Sequence, residues 1–295
     1  DQLADSMASL NRTRHRLEQG EFRIAVVGLE KAGKSTFVNA WLGHDLLPSD
    51  TQRCTFTTTQ LFSVLNPREQ RLVVHTKSPE EFQNYIEELS SAAQGESDAA
   101  RRAQEDLKTI EEHRASLNDV ISNGERVIPF VELSDIKDDL VYFVASPEIA
   151  HAVREAHLYT SRLTSANGVV FYDVPGLNSG LGKHIEESRE MLKDCDAIIC
   201  IQRSKTPSLE ASEQQLIDFA KKGDSQVSLA DKLFVFLGQI DIEGSSTSLE
   251  QNIEKAYKEW QDRAHLPRDH LVAGTAAGHL MMVDAASNKL YDQVG

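Results

Sequence analysis

Two patterns of apolar and polar positions alternate along the chain. Short apolar runs resemble buried strands, among them FRIAVVG (22–28), DAIICIQR (196–203) and KLFVFLGQID (232–241). Amphipathic segments with helical spacing, such as SLEQNIEKAYKEWQDRA (248–264), lie between such runs. Continuous apolar strands separated by helices are typical of a parallel sheet covered on both faces. The pattern predicts a doubly wound α/β fold, which binds ligands at the carboxyl ends of its strands.

A second group of strands is predicted on either side of a helical stretch. TFTTTQLFSVL (55–65) and QRLVVHT (70–76), joined by NPRE, are expected to form a β-hairpin. VREAHLYTS (153–161) and GVVFYDVPG (168–176) are predicted strands around a turn, and HLVAG (270–274) is the predicted last strand.

Residues 78–133 interrupt the α/β rhythm and are interpreted as a helical insertion. Ser78, Pro79 and Glu81 form a capping-box start for a helix through Leu89. One longer helix is expected to follow and to end at Asn123-Gly124, with a face marked by Leu107, Ile110, Leu117 and Ile121. The insertion is either a partner-contacting or regulatory appendage or a lid without further function.

The first 20 residues contain a helical pattern with Leu3, Met7, Leu10 and Leu17 on one stripe. An isolated helix of this length is marginal, so the stripe needs a partner. It either packs on the main domain, expected over residues 21–295, or forms part of a helical bundle completed elsewhere.

Composition excludes several classes of protein. With 31 basic and 46 acidic residues, the formal net charge of -15 excludes nucleic acid as the main partner and a broad polybasic contact with anionic lipid. Neither a membrane-spanning apolar run nor a signal-peptide pattern is present. Three scattered cysteines (Cys54, Cys195, Cys200) indicate a reduced, cytoplasmic chain. The ten histidines show no zinc-ligand spacing.

GLEKAGKST, between the first strand and a helix-like segment, has the G-x-x-x-x-G-K-S spacing of a phosphate-binding loop. Backbone N–H groups and the helix N-terminus provide positive potential for phosphate. Lys34 is expected to reach the β- and γ-phosphates, and Ser35 to ligate Mg²⁺. The predicted nucleotide-binding residues of this loop are Gly28, Glu30, Lys31, Ala32, Gly33, Lys34, Ser35 and Thr36.

Further site residues are expected at the ends of other strands. Asp173, in DVPG, is placed to hold Mg²⁺ through water, and the Gly176 N–H to meet the γ-phosphate. In RCTFTTT, Thr55, with Thr57 as the second choice, is expected to close on Mg²⁺ and the γ-phosphate.

The base-reading element departs from the usual Asn/Thr-Lys-x-Asp of GTPases, since Gln239 stands where that motif has lysine. Asp241 can accept hydrogen bonds from the guanine N1 and N2 donors, which adenine lacks. The Gln239 amide can lie flat against the base. In AGTAA (273–277), backbone at Thr275 and Ala276 is expected to meet guanine O6.

GLEKAGKST, LLPSDTQRCT, DVPGLNSG and GQID together resemble the GTPase domain of the dynamin superfamily, most of all bacterial dynamin-like proteins. The resemblance spans residues 22 to about 280. It implies a Ras-like core, Mg²⁺-dependent hydrolysis of GTP to GDP, and a homodimer formed face to face across the nucleotide. It also implies a helical neck and stalk and a membrane-binding tip in the full-length protein. By this resemblance, residues 1–20 are one piece of the neck, and the rest of the neck, the stalk and the tip are expected outside this chain.

Lys31 stands at the loop position where dynamins resemble one another in carrying a serine that helps to hold a monovalent cation. Guanylate-binding proteins, which are related, carry there an arginine that acts as a finger in cis. Leu177, after the D-x-P-G element, cannot orient the attacking water as glutamine does in small GTPases. Lys31 is therefore expected either to replace the cation or to act as a finger, or else is a solvated lysine or a partner of Glu30.

Three functions remain distinct at this point. The first is a GTPase with Lys31, Lys34, Thr55 and Gly176 in catalysis, coupled to dimerisation and membrane remodelling. The second is a nucleotide-gated interaction module with weak or no hydrolysis. The third, an ATPase of another phosphate-loop class, is disfavoured by Asp241.

Overall fold

Nine strands form one sheet in the part of the chain that the computed structural model describes. This part comprises residues 22–29, 31–48, 58–166, 169–173, 195–209 and 228–284, with isolated positions at 7, 10, 14, 18, 20, 192, 214, 217 and 218. The strands are β1 (Phe22–Gly28), β2 (Thr58–Ser63), β3 (Arg71–Thr76), β4 (Arg126–Pro129), β5 (Val153–Thr160), β6 (Val169–Asp173), β7 (Ala197–Arg203), β8 (Leu233–Gly238) and β9 (Leu271–Ala273).

The sheet has two halves with different strand directions. Its order is β4-β3-β5-β2-β6-β1-β7-β8-β9. From β6 to β9 every neighbouring pair is parallel. β2 runs antiparallel to β6 and parallel to β5, while β3 is antiparallel to both of its neighbours. The predicted Ras-like, mostly parallel α/β fold is confirmed.

Helices alternate with the strands. They are α1 (Lys34–Leu42), α2 (Pro79–Ala92), α3 (Asp98–Glu112), α4 (Arg114–Asn123), α5 (Leu133–Ala145), α6 (Leu229–Lys232), α7 (Ser246–Ala264) and α8 (Ala276–Val283). The predicted capping box of α2 is present, since the Ser78 hydroxyl accepts from the Glu81 N–H and the Glu81 carboxylate accepts from the Ser78 N–H.

The apolar core has two parts, one on each face of the sheet. Alternate residues of β1 enter different parts: Ile24 and Val26 belong to one, Ala25 and Val27 to the other. Successive side chains of a strand point to opposite faces, so β1 is buried on both sides. The first part includes α1 and residues of α2 to α5, and the second contains Trp260 of α7.

The predicted hairpin of the second and third strands is wrong. β5 lies between β2 and β3 and pairs with both, so these two strands are not neighbours. The NPRE segment does turn the chain, because Pro67–Glu69 form a short 3₁₀ helix capped by the Asn66 side chain. The turn does not bring β2 and β3 side by side, because β5 occupies the space between them.

The predicted single long helix of the insertion is two helices, α3 and α4, that meet at His113. Its expected end is correct, since α4 ends at Asn123 with Gly124 at its C-cap. β4 and α5 follow before β5, and β4 extends the central sheet through β3. The helical residues Leu89, Leu117 and Leu140 are completely buried and join the core on one face of the sheet.

The N-terminal segment is described at a few positions. Met7, Leu10, Arg14 and Glu18 have helical backbone, and an ion pair of 3.2 Å joins Arg14 to Glu18. Met7 and Leu10 are 57% and 69% exposed. A partner for this stripe outside the chain, as in a neck bundle, stays a prediction. Among the described helices, none has the length and apolar character that crossing a membrane requires.

Candidate nucleotide site

The predicted phosphate loop connects β1 to α1 and demands glycine at two positions. Gly28 has φ of 152°, and a Cβ there would lie 2.4 Å from the carbonyl oxygen of Ile201 on β7. Gly33, the N-cap of α1, is left-handed with φ of 98°. Both conformations are easy for glycine and strained for other residues. The spacing of the glycines therefore reflects the backbone path of the loop.

Lys34 begins α1 and folds back over the loop. Its Nζ donates to the carbonyl oxygens of Gly28 at 3.2 Å and Leu29 at 3.0 Å. The turn is closed by the Ala32 N–H, which donates to Leu29 at 3.2 Å. The ammonium thus lies at the N-terminus of α1. The first turn of this helix contains no acidic residue and carries the partial positive charge of the helix dipole. Ser35 follows in the same turn and is half-buried.

The predicted base-reading loop contacts the phosphate loop directly. Gln239 follows β8 in a left-handed conformation, with φ of 60°, and its Nε2 donates a long hydrogen bond of 3.5 Å to the Lys31 carbonyl. The buried Ser204 fixes this corner, because its hydroxyl donates to the Gln239 carbonyl at 3.1 Å and its N–H donates to Gly238 at 3.0 Å. The two loops are therefore one connected unit at the carboxyl edge of the sheet.

Lys31 is exposed and left-handed, with φ of 62°. Within the described residues, no ion pair or side-chain hydrogen bond of Lys31 is present. Its predicted alternative partner, Glu30, lies outside the described residues, as do Thr55, Thr57, Gly176 and Leu177.

The remaining predicted residues lie at the same edge of the sheet. Asp241 is in a 3₁₀ turn directly after β8 and is exposed. β9 is parallel to β8, with Leu237 opposite Ala273, which brings the start of α8 beside this turn. Thr275 caps α8 by accepting from the Gly278 N–H at 3.1 Å, and Ala276 is the first helical residue.

Asp173 ends β6, the strand parallel and adjacent to β1. Its Cα is opposite Val26, two residues before the first glycine of the loop. This position agrees with the expectation that the DVPG strand lies next to the phosphate-loop strand. The backbone thus places Asp173 near the end of the strand that leads into the loop.

Comparison with known proteins agrees with these loops. The model of the "Dynamin family" matches residues 24–235, which include the phosphate loop and Asp173. The chain belongs to the dynamin family. Because the matched residues include the phosphate loop described above, this loop is that of a dynamin-family GTPase domain.

Two curated relatives are bacterial. The chain is 25% identical over 246 residues to Dynamin-like protein A of Bacillus subtilis (strain 168), which covers 80% of this chain and 20% of the relative. It is 28% identical over 210 residues to Bacterial dynamin-like protein of Nostoc punctiforme, covering 70% of this chain and 24% of the relative. The chain thus spans about a quarter or less of each of these relatives.

A solved structure of "an oligomerised bacterial dynamin pair" has the same fold. One of its chains superposes with a TM-score of 0.66 at 18% identity, covering 94% of this dynamin-family chain and 44% of that chain.

Sequence reasoning missed the residue that organises the loop after α1. Asn39 is completely buried, and its amide makes four hydrogen bonds with residues 45–47. Asp45 in turn accepts from Lys137 of α5 at 2.7 Å. The sequence does show Asn39 as a single polar residue within the apolar FVNAWL stretch of α1. Its hydrogen-bond partners, however, can be identified only from the structure.

A histidine pair was also missed. His75 of β3 and His157 of β5 lie with ring nitrogens 3.2 Å apart, beside Glu155. The sequence places the two histidines 82 positions apart, so no ligand-spacing rule detects them.

Proposed function

We propose that this domain hydrolyses GTP to GDP with Mg²⁺, and that two copies dimerise through the nucleotide-binding face during the cycle. The observation that carries the proposal is the contact between the two loops, Gln239 Nε2 to the Lys31 carbonyl. This contact supports the proposal because it joins the phosphate loop to the loop that we propose reads the base, at the edge of the sheet where doubly wound folds bind nucleotides.

The residues present fit a magnesium ion. Ser35 offers a hydroxyl in the first turn of α1, and Asp173 offers a carboxylate at the end of the adjacent parallel strand. Both are the hard oxygen donors that Mg²⁺ prefers, and Thr55 is the proposed third donor. When bound, Mg²⁺ neutralises charge on the β- and γ-phosphates.

In the proposed reaction, the chain mainly binds and neutralises charge. Lys34 exchanges its two loop carbonyl acceptors for phosphate oxygens. Asp241 accepts from the guanine N1 and N2 groups, and backbone at Thr275 and Ala276 meets O6. The Gly176 N–H meets the γ-phosphate. Phosphoryl transfer depends mostly on such positioning and electrostatic stabilisation.

Lys31 is proposed to supply positive charge in the transition state, in place of a monovalent cation or as a finger in cis. Its side chain is exposed at the mouth of the loop, and within the described residues it makes no ion pair. Since lysine is a point charge rather than a planar fork, the effect should be weaker than that of an arginine finger.

The test of Lys31 is GTP turnover with K⁺, with Na⁺ and with neither. We expect wild-type turnover to be independent of both ions and Lys31→Ala to lose at least about tenfold in kcat, against up to roughly 10³-fold or more for arginine fingers. Lys31→Ser should recover turnover when K⁺ or Na⁺ is added. Lys258→Ala, an exposed lysine of α7, is the control and should match wild type. A wild-type enzyme that itself needs added K⁺ or Na⁺ would contradict the replacement of the cation by Lys31.

The test of the main proposal is phosphate release against protein concentration. Turnover per molecule should rise with concentration if dimerisation stimulates hydrolysis, and GDP with aluminium fluoride should produce a dimer on size-exclusion chromatography. Lys34→Ala should abolish GTP binding in calorimetry. Binding of GTP without turnover at any concentration would instead support a nucleotide-gated interaction module.

Membrane remodelling is proposed for the longer protein to which such a domain belongs. Family membership supports it, and the structurally similar pair is described by its role in "long range sensing and tethering of membranes". Liposome deformation by the full-length protein with and without GTP would test this step.

A further inference from the structure

A cluster of histidine and glutamate lies on the sheet outside the nucleotide site. On β3 and β5, Val73 is opposite His157 and His75 is opposite Glu155, so His75, Glu155 and His157 share one face of the sheet. Their side chains are 20%, 26% and 17% exposed. The cluster is therefore partly buried yet open to solutes.

The two imidazoles face each other through one nitrogen each. His75 Nε2 lies 3.2 Å from His157 Nδ1. The opposite nitrogens face carboxylates: His75 Nδ1 is 2.8 Å from Glu125 Oε2, and His157 Nε2 is 3.3 Å from Glu155 Oε2. The second contact is an electrostatic approach outside hydrogen-bond geometry, since the buried His157 Nε2 has no hydrogen-bond partner.

The neighbouring carboxylates favour one placement of the protons on the neutral rings. A nitrogen that faces a carboxylate is favoured as N–H, because a lone pair there would repel the oxygen. Neutral imidazole carries one N–H and one lone pair. The two nitrogens that face each other at 3.2 Å would then both present lone pairs, an arrangement that calls for a cation between them. Either an extra proton or a metal ion satisfies it.

Two observations favour a metal ion. A tetrahedral zinc site with Zn–N of about 2.0–2.1 Å separates its nitrogens by about 3.3–3.4 Å, close to the 3.2 Å observed. One donor atom from each of His75, Glu155 and His157 lies within 4.8 Å of the others.

The surroundings also provide the support that metal-bound histidines usually have. Such histidines donate their second N–H to a carboxylate, which fixes ring orientation. The Glu125 carboxylate lies where it can take this role for His75, with Oε2 2.8 Å from Nδ1. Glu155 is itself held by Gln60 of β2, whose Nε2 donates to its Oε2 at 2.7 Å.

We propose that His75 Nε2, His157 Nδ1 and the Glu155 carboxylate bind one divalent transition-metal ion of the Zn²⁺ type, with Glu125 as the residue that positions His75. Imidazole ligands select Zn²⁺, Co²⁺, Ni²⁺ or Cu²⁺ over Mg²⁺, which prefers oxygen. This site is thus distinct in place and chemistry from the magnesium site proposed for GTP hydrolysis.

The test is metal uptake by the purified, chelator-treated chain in excess Mg²⁺ and without nucleotide. Isothermal titration with Zn²⁺ should give one saturable site, and Co²⁺ should give the intense visible absorption of a four-coordinate ion. His75→Gln and His157→Gln should each abolish the site. His279→Gln, which changes an exposed histidine of α8, should leave it intact.

A variant that does not change a ligand keeps the proposal testable if the histidine variants fold poorly. Glu125→Gln should weaken Zn²⁺ binding by about 10–100-fold, the usual effect of losing a carboxylate behind a metal-bound histidine. No saturable uptake by the wild-type chain would mean that the histidines share a proton, and the proposal would fail. Equal uptake by wild type and both folded histidine variants would overturn it as well.

Discussion

Asn39 provides the sharpest prediction about how the nucleotide site is held together. Its Oδ1 accepts from the N–H groups of Leu46 at 3.2 Å and Leu47 at 2.7 Å. Its Nδ2 donates to the Leu47 carbonyl at 2.8 Å and to Asp45 at 3.1 Å. Asn39→Ala removes all four bonds at once, between the helix that begins at the phosphate loop and the segment that leads toward Thr55.

The magnitude follows from the groups left behind. Leu46 and Leu47 are 0% and 2% exposed, so their two N–H groups and the Leu47 carbonyl lose their partner away from solvent. A buried unsatisfied group costs about 1–3 kcal/mol, and entry of water favours the lower half of that range. Three groups give about 3–6 kcal/mol, and the better helix propensity of alanine returns about 0.7 kcal/mol. We expect a loss of about 2–5 kcal/mol in the free energy of unfolding.

Urea unfolding followed by circular dichroism measures this loss as a shift of the midpoint at unchanged slope. Asn252→Ala is the matched control, because the half-buried Asn252 makes one side-chain hydrogen bond, to Glu243 at 3.2 Å. That change should cost less than about 1 kcal/mol. If Asn39→Ala proves no more destabilising than Asn252→Ala, the four bonds do not hold the loop and the reasoning is refuted.

Three other changes test separate parts of the fold. Gly28→Ala should destabilise by at least about 2 kcal/mol and weaken GDP binding, because its Cβ would overlap a carbonyl of β7; wild-type affinity in calorimetry would contradict this. Trp260→Phe should cost about 2–4 kcal/mol in urea unfolding, because it leaves a gap and deprives Gln202 Oε1 of a donor at 2.9 Å; a cost under 1 kcal/mol would count against that role. Ser78→Ala should cost about 1 kcal/mol without changing GTP turnover. The Ser78 N–H, which Ser78→Ala retains, lowers the pKa of Glu81, so the stabilisation by the Glu81 carboxylate is present above the ordinary pKa of glutamate and is lost as pH falls; a loss of stability in Glu81→Ala that does not depend on pH would argue against it.

Local sequence signals predicted the backbone features on which the candidate site is built. The phosphate loop is specified by residues within one turn of one another, and the DVPG strand by a continuous apolar run that ends in aspartate. Because parallel strands share a carboxyl edge, these local features also predicted that Asp173 lies beside the loop strand. The capping box was likewise predicted from three nearby residues, Ser78, Pro79 and Glu81.

Features that depend on distant pairing escaped prediction. A turn at Pro67 suggested a hairpin, yet β5, almost 90 residues later, inserts between β2 and β3. The same insertion brings His157 to His75, so the error about the hairpin and the missed histidine pair have one cause. The break at His113 lies within one apolar stripe, and only packing distinguishes two helices from one.

Backbone strain is concentrated where we propose that the nucleotide binds. Among the described residues, three non-glycines have positive φ: Lys31, Gln239 and His265. His265 is the C-cap of α7, where a left-handed residue is ordinary. Lys31 and Gln239 lie on the two sides of the hydrogen bond that joins the phosphate loop to the base-reading loop. Each conformation costs on the order of 1–3 kcal/mol, and glycine at either position would remove most of it. The chain instead keeps a lysine and a glutamine there, which is consistent with side chains that act on a ligand across both loops.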